Sequence, residues 1–289
     1  MLWEREHGGA ISAATASGAR IYWNAPTRED DIQGQIAMVD RIASSRFQGL
    51  VLTPDHAVAL ISPVRNAISR GIPTVVVGSA LAVPPGGRLF YLLNDEVRGG
   101  QLAAGRVAAI LHGKGKIAIL GIDPDVEGIM IRARSLEQSL NENYPDIHVV
   151  ANAIGSFNFP HEQQVAEETL KANPDLDAII ALTWTSSRGA LSAIPGSGNA
   201  HVKVIGFDPE ALSFDDPNLD SLILQDTRTM GSEAVQTILA TLQGQSMPAT
   251  RQFEPMMVTR ENLSSPAVQK MTGMDWRSEP TRWTWSIGP

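Results

Sequence analysis

Eight apolar runs, most of them rich in β-branched residues, each end on a polar residue, and helical segments separate them. The stops are Asn24 after ARIYW, Thr53 after GLVL, Ser79 after PTVVVG, Asn94 after RLFYLL, Asp123 after KIAILGI, Thr183 after LDAIIAL, Asp208 after VKVIGF and Gln225 after SLIL. A strand that is apolar on both sides must be covered on both faces, and alternation with helices makes its sheet parallel. In such sheets ligands collect at the carboxyl ends of the strands. The row of polar stops is therefore the first place to look for a site.

Helical patterns fill the gaps at residues 31–44, 57–70, 97–111, 127–143, 162–172, 186–194 and 229–242. Gly49, Gly71 and Gly244 follow helices where a left-handed residue is wanted, and Pro73 and Pro174 stop a helix from running on. Each helix is long enough to cross back over a sheet, which gives right-handed βαβ units. The strand count predicts two sheets. Residues 19–24, 49–53, 74–78 and 89–93 form one; residues 116–122, 148–154, 177–183, 202–207 and 219–224 form the other, with a last strand at 253–259. Two such halves facing each other put their strand ends across a shared cleft, the usual place for a small ligand.

Composition narrows the function classes. At 289 residues the chain is large enough for two packed domains. Its formal net charge of −8 and the lack of any Lys/Arg cluster leave a nucleic-acid surface without an electrostatic basis. The absence of cysteine removes thiol catalysis, disulfides and thiolate metal sites, and suits an oxidising compartment that needs no staples as well as the cytosol. No run of about 18 apolar residues is present, so no membrane insertion is expected. Glu4 and Glu6 stand where an export signal would place its apolar core.

In order, WNAPTREDD, QGLVLTP, GIPTVV, LLNDEVRGGQLAA, KGKIAILGI, RARSLEQSL, ANPDLDAIIAL, KVIGFD and LILQD resemble the type I periplasmic sugar-binding proteins, the ribose-binding-like solute-binding proteins of ABC transporters. The same core serves lactose-repressor-type effector domains. The resemblance covers the chain from Leu2 to about Thr259. It implies an α/β fold of two Rossmann-like lobes joined by a three-strand hinge. Residues 1–95 plus 226–256 make the first lobe, and residues 96–225 plus 257–289 make the second with its tail. The hinge crossings are expected at 94–95, 225–226 and 256–258. It further implies a periplasmic monomer, with no cofactor, that captures a monosaccharide or related polyol and hands it to an ABC transporter permease.

The resemblance also places ligand residues. Leu2 and Trp3 stand at the two aromatic positions of the first lobe, of which Trp3 keeps the ring. Arg134 matches the arginine that donates to sugar hydroxyls, Phe157 the aromatic of the second lobe, Asp208 the carboxylate that accepts from two hydroxyls, and Gln225 the hinge amide. Thr183, beside Trp184, replaces an asparagine. Gly78 and Ser79 replace the acidic-basic pair of ribose binders, so the expected sugar is not ribose held in the ribose manner. Asn94 and Asp95 cap the cleft. Physically, a sugar offers apolar C–H faces and a rim of hydroxyls, which flat rings and paired donors and acceptors match. Charged partners bond hydroxyls the more strongly, which gives Arg134 and Asp208 the largest share.

Each residue also has a plainer use. Asp208 suits a cap for a helix starting near Glu210. Arg134 suits a solvated pair with Glu127 or Glu137, with Arg132 as the competing arginine. Phe157 and Trp184 suit core packing, and Gln225 and Asn94 the satisfaction of hinge backbone. Catalysis has little support. His7, His56, His112, His148, His161 and His201 are dispersed without metal spacing, no G-x-S-x-G elbow occurs, and GGRLF and GKGK lack the phosphate-loop spacing. The resemblance begins just after the family's first strand, so that strand, central in the first sheet, is expected to be missing. In the tail, TRWTWSI alternates with Trp283, Trp285 and Ile287 on one face, and packing over the second lobe or on a partner subunit is expected.

Overall fold

The computed structural model describes residues 3–26, 31–208 and 214–272. Leu2 and the Trp-rich tail fall outside them. The described chain is an α/β protein of two lobes, each a parallel-stranded sheet between helical layers.

In the first lobe, β1 (Leu50–Leu52), β2 (Thr74–Gly78), β3 (Leu89–Asn94) and β9 (Thr250–Phe253) lie side by side in that order, all parallel. Val75 and Val77 point to one face and Val76 to the other, all fully buried, as a strand covered on both sides requires. Helices α2 (Ile32–Ala43) and α3 (Ile61–Ser69) cover one face, and α8 (Thr227–Leu242) covers the other. Helix α1 (Glu4–Ser17) packs on α8.

The second lobe holds six strands in the order β10-β8-β7-β6-β4-β5. These are β4 (Gly115–Ile122), β5 (Ile147–Ile154), β6 (Ala178–Ala181), β7 (Lys203–Phe207), β8 (Leu219–Leu224) and β10 (Met256–Thr259). Only β10 runs antiparallel, Met256 opposite Leu224. Helices α4 (Glu96–Ile110) and α5 (Glu127–Asn143) cover one face. Helices α6 (Phe159–Ala172) and α7 (Trp184–Ser197), joined at one end by α9 (Pro266–Thr272), cover the other. The chain passes between lobes three times: from β3 into α4, from β8 into α8, and from β9 into β10.

Four expectations differ from what the structure shows. Residues 19–24 form no strand. A strand exists only with a hydrogen-bonded neighbour, and among the described residues none pairs with this segment, so β1 is the outer strand of its sheet. Tyr22 instead packs on Phe47, 5.5 Å between ring centroids, and Trp23 stacks on His7 at 4.3 Å. The single strand expected at 253–259 is two short strands in different sheets. Pro255, which has no N–H to give a ladder, separates them, and the third crossing falls at Glu254 and Pro255. Of the three glycines, Gly71 and Gly244 are left-handed at φ 86° and 77°, whereas Gly49 is needed for space, since a Cβ there would run into Ile238. Helix α1 was not anticipated, because its sequence EREHGGAISAATAS carries no apolar stripe.

Close backbone approach holds α1 instead. A Cβ on Gly231 would lie 2.8 Å from the Glu6 carbonyl carbon and 3.0 Å from its Cα, and one on Gly9 would lie 2.9 Å from the carbonyl carbon of Arg228. Backbone cannot yield as a side-chain tip can. Gly231→Ala should therefore cost about 2 kcal/mol by overpacking. A lower urea midpoint with an unchanged slope is the expected result, and an unchanged midpoint would show that the helices can separate freely.

Candidate functional site

The carboxyl ends of the two sheets meet. From the first lobe, the loop after β1 brings His56 and Ala57 to the second lobe's loop after β4. The Ala57 N–H donates to the Asp125 carbonyl at 3.2 Å, and His56 Nε2 lies 3.7 Å from Asp125 Oδ1. Ser79, after β2, faces Gly128 in the first turn of α5, where a Cβ would collide with the Ser79 hydroxyl. The lobes are thus closed on each other along the strand ends.

Polar residues at or just after the stops cap the helices that follow. Asp95 accepts from the Arg98 N–H at 2.9 Å and starts α4; Asp226 accepts from Thr229 at 3.1 Å and starts α8. Thr183 starts α7 with a reciprocal box: its hydroxyl accepts from the Ser186 N–H at 3.1 Å, and Ser186 Oγ accepts from the Thr183 N–H at 3.0 Å. Such caps fix where each strand ends and hold the adjoining side chains at the sheet edge. Trp184, the next residue, is half-buried.

Asp208 follows β7, is 5% exposed, and adopts φ 60°, a left-handed conformation that few residues other than glycine take. Phe157, at φ 53° after β5, is half-buried against the α4/α5 side of the core. Its loop is held by Glu162 of α6, which is 1% exposed and accepts from the Ser156 N–H at 2.8 Å. Burial pushes the Glu162 carboxyl above the ordinary carboxylate range, against the lowering effect of the Ser156 and Phe157 N–H groups. The neighbouring Asp123 is raised too, chiefly by burial.

The two arginines of RARSLEQSL part ways. Arg134 stands on the solvent face of α5 with its side chain 64% exposed, 3.8 Å from Glu127. Arg132 shares the inward stripe with Gly128, Ile129, Ala133, Leu136 and Leu140. That stripe, at spacings of three and four, is the sequence signal that selects Arg132. Its guanidinium lies 4.0 Å above the Phe207 ring, donates to the Leu182 carbonyl, and forks onto Glu96 through Nε at 2.7 Å and Nη2 at 3.0 Å. Asn94 and Gln225 meet at the same carboxylate, Nδ2 and Nε2 donating to Glu96 Oε1 at 3.3 and 3.2 Å. Asn94 Oδ1 is buried without a partner among the described residues, an acceptor that a ligand hydroxyl or a water would satisfy.

Trp3 precedes α1 and is half-buried; one turn on, Glu6 is 2% exposed, 3.4 Å from the Thr53 hydroxyl at the end of β1. The structure therefore brings Asn94, Asp95 and Gln225 together with Arg132 and Glu96, sets Phe157, Thr183, Trp184 and Asp208 along the second lobe's strand ends, has Trp3 one turn before the Glu6 that reaches the end of β1, and leaves Arg134 apart. Glu6, Glu96 and Glu162 were missed because a buried carboxylate inside a helix has no pattern of its own in sequence. Among the described residues no cluster of His, Asp and Glu is suited to a metal ion, and no helix is long and apolar enough to cross a membrane.

The family described as periplasmic binding protein domain matches residues 2–246. A xylitol-binding protein of Mycolicibacterium smegmatis is 27% identical over 201 residues, which is 69% of this chain and 56% of that protein. The chain thus spans little more than half of that relative's length. A ribose import binding protein of Bacillus subtilis is 26% identical over 77% of this chain and 72% of its own. A solute-binding protein of Agrobacterium vitis, solved with bound D-fucose, superimposes with a TM-score of 0.88 at 23% identity over 94% of this chain and 95% of its own, a likeness of fold.

Desolvation lifts the Glu6 carboxyl from its ordinary 4.5 to about 8. The folded state thus keeps a proton that the unfolded state releases, and stability fully present below 4.5 is lost as pH rises toward 8 and past it. Melting temperature should fall over that interval in the parent chain, and Glu6→Gln should flatten the fall. Parallel curves for the two proteins would place the titration elsewhere.

Proposed function

Since the chain belongs to the periplasmic binding protein family, we propose that it is an extracytoplasmic solute-binding protein that captures a monosaccharide or related polyol between its lobes. It delivers that ligand to the permease of an ABC importer. The observation that carries this reading is the meeting of two sets of strand ends, with rings and hydrogen-bonding side chains gathered at their edges and the lobes touching through Ala57 and Asp125. A small ligand lying there contacts both lobes at once, so it favours the closed arrangement by its differential affinity for it.

Roles follow from chemistry. Trp3, Phe157 and Trp184 present faces for C–H surfaces. Asp208 accepts from hydroxyls, Arg132 supplies the two guanidinium N–H groups left over from Glu96 and Leu182, and Asn94, Gln225, Thr183 and Asp95 complete the rim. Arg134, 64% exposed, has no place in this arrangement. The relatives matched are a polyol binder and a sugar import binder, which favours transport over a regulator with the same core. Binding without chemistry is the task, the periplasm its place, and a monomer its working form. The first lobe comprises α1 to β3 with α8 and β9, and the second comprises α4 to β8 with β10 and α9.

A thermal-shift screen with xylitol, D-ribose, D-apiose and D-arabinose tests this directly. A bound ligand at a hundred times its Kd adds about 2.7 kcal/mol to stability. A rise in Tm with one of these, lost in Asp208→Ala, is the expected outcome. A rise that survives Asp208→Ala would move the ligand away from the β7 end, and a cooperative melt unmoved by all four would count against this set of ligands.

A further inference from the structure

All three passages between the lobes converge on residues 94 to 96. Asn94 and Asp95 are the first crossing. Gln225, at the second, donates to Glu96 Oε1 at 3.2 Å, and the third is tied in by the Asp95 N–H, which donates to the Phe253 carbonyl at 2.9 Å. Glu96 is 6% exposed, and its partner Arg132 4%. Directly above lies the interlobe contact: a Cβ on Gly128 would fall 3.3 Å from Glu96 Oε1 on one side and against the Ser79 hydroxyl of the first lobe on the other.

We infer that Glu96 is a positioning residue for ligand binding, its carboxylate aiming the Arg132 guanidinium along the strand ends and holding the first two crossings at a fixed angle. The two actions share one group. Glu96 Oε2 takes the Arg132 Nε–H alone, while Oε1 takes a second Arg132 N–H together with the amides of Asn94 and Gln225. With Nη1 engaged by the Leu182 carbonyl, the guanidinium cannot turn without losing the fork, and the two amides cannot separate without one of them losing its acceptor. A carboxylate supplies acceptors for all four bonds. A glutamine has a single oxygen, and its NH2 faces donors, so the set cannot be kept.

Hydrogen exchange on the full chain tests this. In Glu96→Gln, amides of residues 94–98 and of residues 224–229 should both exchange about tenfold faster, since each crossing loses roughly one hydrogen bond. Ile179 and Ile180, in the middle of the second sheet, should be unchanged. The double variant Glu96→Leu/Arg132→Met leaves no buried charge unpaired and guards against simple misfolding; it should show the same coupled loosening. Faster exchange confined to the start of α4, or none, overturns the proposal. The ligand side of the inference rests on the sugar-binding reading, and calorimetric titration with xylitol and D-ribose examines it. If the parent chain binds either, Glu96→Gln should bind it at least about tenfold more weakly, and equal affinity overturns the proposal. A parent chain that binds neither counts against the choice of sugar, while the exchange result still decides the role of Glu96.

Discussion

A carboxylate and a guanidinium buried together are an all-or-none commitment. Removing Glu96 and Arg132 from water costs several kcal/mol for each ion, offset only if the geometry is good and the remaining lone pairs and protons are engaged. Here the fork, the Leu182 carbonyl, the Phe207 face and two amides supply that engagement. The pair demands that α4 and α5 lie close, and Gly100 permits it: a Cβ there would sit 2.5 Å from the Arg132 carbonyl oxygen and 2.7 Å from the Leu136 nitrogen. Helix contact, hinge and strand ends are thereby solved at one point.

The other buried carboxyls follow the same logic with weaker compensation. Glu162 sits where Gly155 and Gly189 leave room for it, and it fastens the loop that carries Phe157. Its second oxygen has no partner among the described residues, and burial raises its proton affinity. Glu6 has the Thr53 hydroxyl as its hydrogen-bond partner among the described residues and is raised to about 8. Of these two, Glu6 holds its proton near neutral pH. Glu162 has the Ser156 and Phe157 N–H groups to oppose desolvation, whereas Glu6 has a single hydroxyl.

Legibility in the sequence tracks how local the cause is. Helix α5 at 127–143 and strands β2 and β8 could be bounded to the residue, because apolar periodicity and flanking breakers lie in the same few residues. Residues 19–24 have the apolar run and polar stop of a strand and are not one, since pairing is a property of a neighbour and the segment has none among the described residues. Helix α1 has the converse history: little intrinsic amphipathicity, but glycine contacts with α8 that no local pattern announces. The site was legible as a row of strand-end residues. Which arginine turns inward was legible only as a stripe on α5, and Glu96 as a clamp was not legible at all.

By itself the sequence determined the layered α/β architecture, the two sheets, and the polar strand ends where a ligand belongs. These follow from hydrophobic period and chain order, which are written along the chain. Tertiary structure alone decided that Arg132 faces inward while Arg134 faces water, and that Glu96 joins two crossings 129 residues apart. Those outcomes depend on distance and desolvation between segments remote in sequence, and such quantities exist only once the lobes have packed.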